Sequence, residues 1–154
     1  MPYLRVADLL TRVRSYHEGL RDWCVRRQHE EPDPRVALLT ELVGAREDRM
    51  QGGLAKIAAD ADDAILNTWL QFEPDAAQAT DLDAFELGGD LGVEEALARA
   101  TGFELTVQAI YARAAGAMVA PRVREFFRAL ADLHEARAKQ LGRISQGLED
   151  GGLS

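Results

Sequence analysis

Four side chains that can bind a metal or form a buried hydrogen-bond network recur at one spacing in this sequence. His17 and Glu47 lie thirty positions apart, and Glu104 and His134 lie thirty positions apart as well. Imidazole and carboxylate groups ligate iron, manganese and zinc, and they also bond to each other in cores that hold no metal. The repeated spacing predicts two helix pairs whose polar groups meet in one layer of a core.

Helical periodicity supports this prediction, because apolar residues recur at spacings of three and four along most of the chain. We find no alternating run bounded by turn residues, which is the signal of a strand. The sequence therefore predicts an all-α protein. The predicted helices cover about 4–29, 35–72, 93–118 and 121–148.

The phase of each helix selects the inward polar residues. At about 100° per residue, His17 lies on the apolar stripe of the first helix and Glu18 points away. Glu47 lies at the edge of the stripe of the second helix, which includes Leu42, and Glu104 flanks the stripe of the third. On the fourth helix both His134 and Arg137 lie between Leu130 and Leu141, and Tyr16 and Tyr111 are predicted close to the same layer.

Composition limits the classes of function. The net charge is −8 and no segment carries a basic stripe, so binding to nucleic acid or to an anionic membrane surface is disfavoured. Cys24 is the only cysteine, which excludes an intramolecular disulfide, and its place on the apolar stripe predicts an inert thiol. With no signal-peptide core or membrane span in the pattern, we expect one cytoplasmic domain over residues 1–154.

The pattern resembles the ferritin-like, rubrerythrin-type superfamily, in which two antiparallel helical hairpins are joined by a long crossover. The resemblance implies a di-iron site with a carboxylate from helices one and three and a Glu-x-x-His pair from helices two and four. Glu104 matches the helix-three carboxylate and Glu47 the helix-two glutamate, with Met50 where its histidine partner belongs. The segment LADLHEARAKQL places His134 and Arg137 where the glutamate and histidine of helix four belong.

Two departures from the family pattern bear on the metal. On helix one His17 faces inward and the carboxylate is displaced to Glu18. Arg137 is always protonated and cannot ligate a metal, but it could supply the positive charge that iron supplies elsewhere. We therefore expect a metal-free or metal-degenerate ferritin-like protein, with Arg137 in contact with Glu47 or Glu104, that acts through protein contacts as a homodimer.

Two alternatives remain open from the sequence. One is a rubrerythrin-type oxidoreductase or iron-handling protein, with iron or another divalent transition metal on His17, Glu47, Glu104 and His134. The other is a small-molecule binder with a pocket between the helices.

The homodimer is predicted from an apolar segment at the end of the second helix. From Ile65 to Phe72 apolar side chains occur on several faces, among them Leu66 and Trp69, and one inward stripe cannot bury them all. The predicted crossover, from about 73 to 92, offers Leu82, Phe85 and Leu87 as partial cover. We expect a second subunit to cover the remainder.

Overall fold

Five helices and a short two-stranded ribbon form the part of the chain that the computed structural model describes, residues 3–71, 92–118 and 120–150. The helices are α1 (Val6–Glu30), α2 (Pro34–Asp60), α3 (Asp63–Leu66), α4 (Val93–Ala117) and α5 (Pro121–Asp150). The strands are β1 (Tyr3–Arg5) and β2 (Trp69–Gln71). The described chain is thus mostly helical, in agreement with the all-α prediction.

The first two long helices pack against each other across a proline turn. Proline cannot continue α1, and Pro34 suits the first position of α2 because that position needs no backbone N–H. The Asp33 carboxylate caps α2 by accepting a hydrogen bond of 2.9 Å from the Arg35 backbone N–H. A Cβ atom on Gly44 would lie 3.4 Å from that of Cys24, at van der Waals contact, so α2 and α1 pack closely at this position.

The second helix ends earlier than predicted. We predicted one helix from 35 to 72, but α2 ends at Asp60. Asp62 then caps α3, since its side chain accepts a hydrogen bond of 2.9 Å from the Ile65 backbone N–H. Aspartate competes with the helical hydrogen bonds in this way, and three aspartates between 60 and 63 favour a new helix start over continuation.

The prediction that strands are lacking was wrong for two short segments. β1 and β2 pair antiparallel, with Tyr3 opposite Gln71 and Arg5 opposite Trp69. The Val6 backbone N–H also donates to the carbonyl of Thr68 over 3.0 Å. The ribbon therefore holds the segment that follows α3 against the start of α1. Strands of three residues are too short to give a periodic signal in sequence.

The other two long helices, α4 and α5, form a second packed pair, and α2 also packs on α5. The start predicted for the last helix is confirmed at Pro121. Large side chains from several helices fill the common core. The largest that are fully buried include Tyr111, Phe103, Phe127, Leu9, Leu20, Leu54, Leu97, Leu130 and Leu141.

One residue of the predicted inner stripe of α2 lies on the wrong side. Leu42 is 39% exposed, and Leu38, one turn earlier, is 66% exposed. The buried row of α2 includes Thr40 and Glu47 instead. When the buried face of α2 is predicted from hydrophobicity alone, it shifts toward Leu38 and Leu42, because inward polar residues are given no weight.

Several predictions fall on other parts of the chain. Leu82, Phe85 and Leu87, the anchors of the predicted crossover, lie outside the described residues, and so does Phe72.

None of the described helices combines the length and apolar character needed to cross a membrane.

Candidate buried His/Glu site

His17 and Glu47 meet between α1 and α2. Both side chains are fully buried, and Nδ1 of His17 is in short hydrogen-bond contact with Oε2 of Glu47. Glu18, the neighbour of His17, is exposed, as the helical phase predicted. The Glu47 carboxylate therefore orients the His17 ring and leaves the second ring nitrogen, Nε2, facing the next group of the layer.

Glu104 of α4 joins the two helix pairs. Its Oε1 lies 3.0 Å from Nε2 of His17, and its Oε2 lies 2.5 Å from Nδ1 of His134 on α5. Glu104 and His134 are fully buried as well. The four predicted side chains thus converge on one layer that spans the four long helices.

Arg137 closes one end of this layer. Its Nε donates to Oε1 of Glu47 over 3.0 Å, and a terminal nitrogen makes a second, shorter contact with the same oxygen. Further contacts reach the Val43 carbonyl at 3.4 Å and the side chain of Gln140 at 3.3 Å. The predicted contact of Arg137 with Glu47 or Glu104 is confirmed, with Glu47 as the partner.

Three polar atoms of the layer are buried without a hydrogen bond. They are Nε2 of His17, Oε1 of Glu104 and Nε2 of His134. The first two lie at ion-pair distance, 3.0 Å, but the geometry between them is not that of a hydrogen bond. A buried polar atom without a partner costs about 1–3 kcal/mol, so a group of three calls for water or an ion.

Aromatic rings enclose the layer. The Tyr16 ring packs edge-on against His17 at 4.8 Å between centroids, and Phe103 stacks on Tyr16. On the other side Tyr111 stacks on His134 at 5.8 Å, and its hydroxyl is buried without a hydrogen bond. These apolar faces lower the local dielectric, which strengthens the electrostatic interactions of the layer.

Cys24, on the same face of α1, lies outside this chemistry. Burial raises the pKa of its thiol to about 12, and the nearby Glu47 charge acts in the same direction. The thiol therefore stays protonated near neutral pH, in agreement with the predicted inert role.

Burial and the neighbouring charges shift the pKa values of His17 and Glu104 in opposite directions. Burial alone would lower the pKa of His17, but the close carboxylates of Glu104 and Glu47 outweigh it and raise the pKa to about 9. Burial alone would raise the pKa of Glu104, but His134 and His17 outweigh it and lower the pKa to about 2. Without a metal, His17 is therefore an imidazolium and Glu104 a carboxylate near neutral pH.

These shifts predict how the stability of the metal-free protein depends on pH. The folded pKa of His17 exceeds its ordinary value of 6.5, so its contribution is complete below pH 6.5 and is lost as pH rises toward 9. Glu104 contributes fully above its ordinary pKa of 4.5, and this contribution is lost as pH falls toward 2. After chelator treatment, the unfolding free energy should drop by a few kcal/mol from pH 6.5 to 9.

Urea unfolding across this pH range measures the effect, and His17→Gln should remove most of the slope. An equally steep slope in His17→Gln would assign the dependence to another group.

Three side chains of the layer lie close enough together to bind one cation. Among the described residues, His17, Glu104 and His134 form the group whose ligand atoms all lie within 4.8 Å of one another. That separation is slightly more than twice a metal–ligand bond of about 2.1 Å, so a small side-chain movement would suffice to enclose one ion. Glu47, the fourth predicted ligand, is instead occupied by Arg137 and by Nδ1 of His17.

Sequence reasoning missed one member of the layer. Gln140 contacts Arg137 from the next turn of α5. A spacing of three on a helix puts two residues on the same face, so that signal was available. The Val43 carbonyl, by contrast, has no signature in sequence.

The comparisons with known proteins leave the family open. No family model, no curated protein and no solved structure matches the chain. The geometry of the buried layer is therefore the basis for assigning a function.

Proposed function

We propose that the chain is a ferritin-like four-helix protein that binds one divalent transition metal through His17, Glu104 and His134. The observation that carries the proposal is the unsatisfied pair, Nε2 of His17 and Oε1 of Glu104, buried 3.0 Å apart without a hydrogen bond. One cation would satisfy both atoms at once. The packed pairs α1/α2 and α4/α5, each contributing inward His and Glu groups, support the ferritin-like part.

The donor set fits such an ion. Two imidazoles and one carboxylate suit iron, manganese or zinc. Glu47 would act from outside the ligand sphere, since its bond to Nδ1 of His17 fixes the ring and leaves Nε2 for the metal. Arg137 in turn holds Glu47 in place.

The metal, when bound, would supply Lewis acidity or, for iron or manganese, a redox centre. The protein's own side chains hold and screen the site: Glu47 orients His17, and the rings of Tyr16 and Tyr111 cover the imidazoles. The oxidoreductase role that the family resemblance implies requires this ion, so metal content is the first property to measure.

A second candidate is a metal-free core network. It is favoured by the contact of Arg137 with Glu47 and by the protonated His17 next to Glu104, because each carboxylate then faces a cation of the protein itself. In that case the layer would fix the register of the helices, and the protein would act through its surface.

Elemental analysis of protein purified without chelators separates the two candidates. Metal binding predicts about one ion per chain, restored after chelation by adding iron(II), manganese(II) or zinc(II) under anaerobic conditions. Calorimetry with each metal gives the affinity. A chain that is metal-free as purified and takes up none of the three ions has the second function.

We also propose that the protein is a homodimer through the Ile65–Phe72 region. Trp69 supports this, because its side chain is 60% exposed while Ile65 and Leu70 beside it are buried. Burying a large apolar side chain contributes roughly 1.5–3 kcal/mol, and the twofold dimer is the commonest closed assembly in which a second subunit could cover it.

Trp69→Glu should shift the protein from dimer to monomer in sedimentation velocity runs at micromolar concentration, because the interface would have to bury a charge. Leu105→Glu is the control, since Leu105 of α4 is also half-exposed and lies outside this region. A monomeric wild-type protein, or equal dissociation by Leu105→Glu, would contradict the assignment.

A further inference from the structure

A cleft of about 230 Å³ between α2 and α5 is lined by three arginines. Arg46 and Arg49 come from α2, and Arg137 comes from α5. The remaining lining includes Gln140 and the apolar side chains Met50 and Leu133, with no acidic residue among the described ones.

Two of the three positive charges in the cleft have no acidic partner among the described residues. Arg137 is neutralised by Glu47, but neither Arg46 nor Arg49 forms an ion pair among the described residues. By contrast Arg21, on the neighbouring helix α1, pairs with Asp48. Two like charges held near each other at a partly enclosed site raise the energy of the folded state unless an anion joins them.

The hydrogen-bond donors match one ligand chemistry. Guanidinium groups present forked N–H donors that fit carboxylate and phosphate oxygens. We propose that this cleft binds a small oxyanion, a carboxylate or a phosphate group, through Arg46 and Arg49. Met50 and Leu133 would contact a short carbon chain, and the volume suits a small molecule.

The proposal is independent of the metal, because Arg46 and Arg49 do not contact the buried layer in any described hydrogen bond or ion pair. The two arginines lie at the partly exposed side of α2, so they can be changed with little risk to the fold. Arg137 is unsuitable for the test because it also holds Glu47.

Isothermal titration with inorganic phosphate and, separately, with succinate tests the site at constant ionic strength. The wild-type protein should bind at least one of the two, and the double variant Arg46→Gln/Arg49→Gln should bind tenfold more weakly or not at all. The control Arg113→Gln/Arg143→Gln removes the same charge from exposed positions on α4 and α5 and should bind like wild type. Binding of phosphate alone or of succinate alone identifies which oxyanion the cleft prefers.

Thermal melts give a second readout. Without ligand, the Arg46→Gln/Arg49→Gln variant should melt at or above the wild-type temperature, because two unpaired like charges are gone. Adding the oxyanion should raise the melting temperature of wild type and of the control, and leave that of the double variant unchanged. Absence of binding by wild type, or equal weakening in the control, overturns the proposal.

Discussion

Replacing Arg137 with methionine should destabilise the protein by about 3–5 kcal/mol, because the change leaves Glu47 charged and buried without its cation. Both side chains are almost completely inaccessible, and the guanidinium contacts Glu47 through two nitrogens. Methionine keeps most of the volume of the arginine stem, so the expected loss comes from the charge. Urea unfolding monitored by circular dichroism at pH 6.5 gives the free energy.

Two further variants isolate the buried pair. Lys139→Met removes a cation from the same helix, but Lys139 forms an exposed pair with Glu135, so its loss should cost less than about 1 kcal/mol. Adding Glu47→Gln to Arg137→Met should recover part of the stability, because the amide carries no charge to be buried. If Arg137→Met costs no more than Lys139→Met, Glu47 does not depend on Arg137 for neutralisation.

The inward polar residues were predictable because helix geometry is strict. Neighbouring positions on a helix differ by about 100° in direction. The inward His17 and the exposed Glu18 could therefore be told apart from the helical phase. The equal separations of the two His/Glu pairs added information, since each pair joins two neighbouring helices. The sequence thereby predicted which helices supply the groups of the site.

The partners of those groups were less predictable. Phase places Arg137 inward, but whether it pairs with Glu47 or Glu104 depends on how α2 and α5 approach each other, which no local pattern encodes. The same holds for the cleft with Arg46 and Arg49, since its lining comes from both α2 and α5. Local competition explains the early end of α2, where Asp62 offers its side chain to the backbone of α3.

Substitutions of the two buried glutamates should separate a metal ligand, Glu104, from a residue that orients a ligand, Glu47. Glu104→Gln should abolish stoichiometric metal binding, because Glu104 is the carboxylate whose oxygen faces Nε2 of His17. Glu47→Gln should weaken the affinity only about 10–100-fold, since Glu47 contacts Nδ1 of His17 and acts on the metal through that ring. Tyr111→Phe is the control: it removes a buried hydroxyl without a hydrogen bond beside His134 and should leave the affinity unchanged. Metal-binding calorimetry on the three variants, with circular dichroism to confirm their folding, gives the comparison. Equal loss in Glu47→Gln and Glu104→Gln would make Glu47 a ligand, and a metal retained by Glu104→Gln would remove Glu104 from the site.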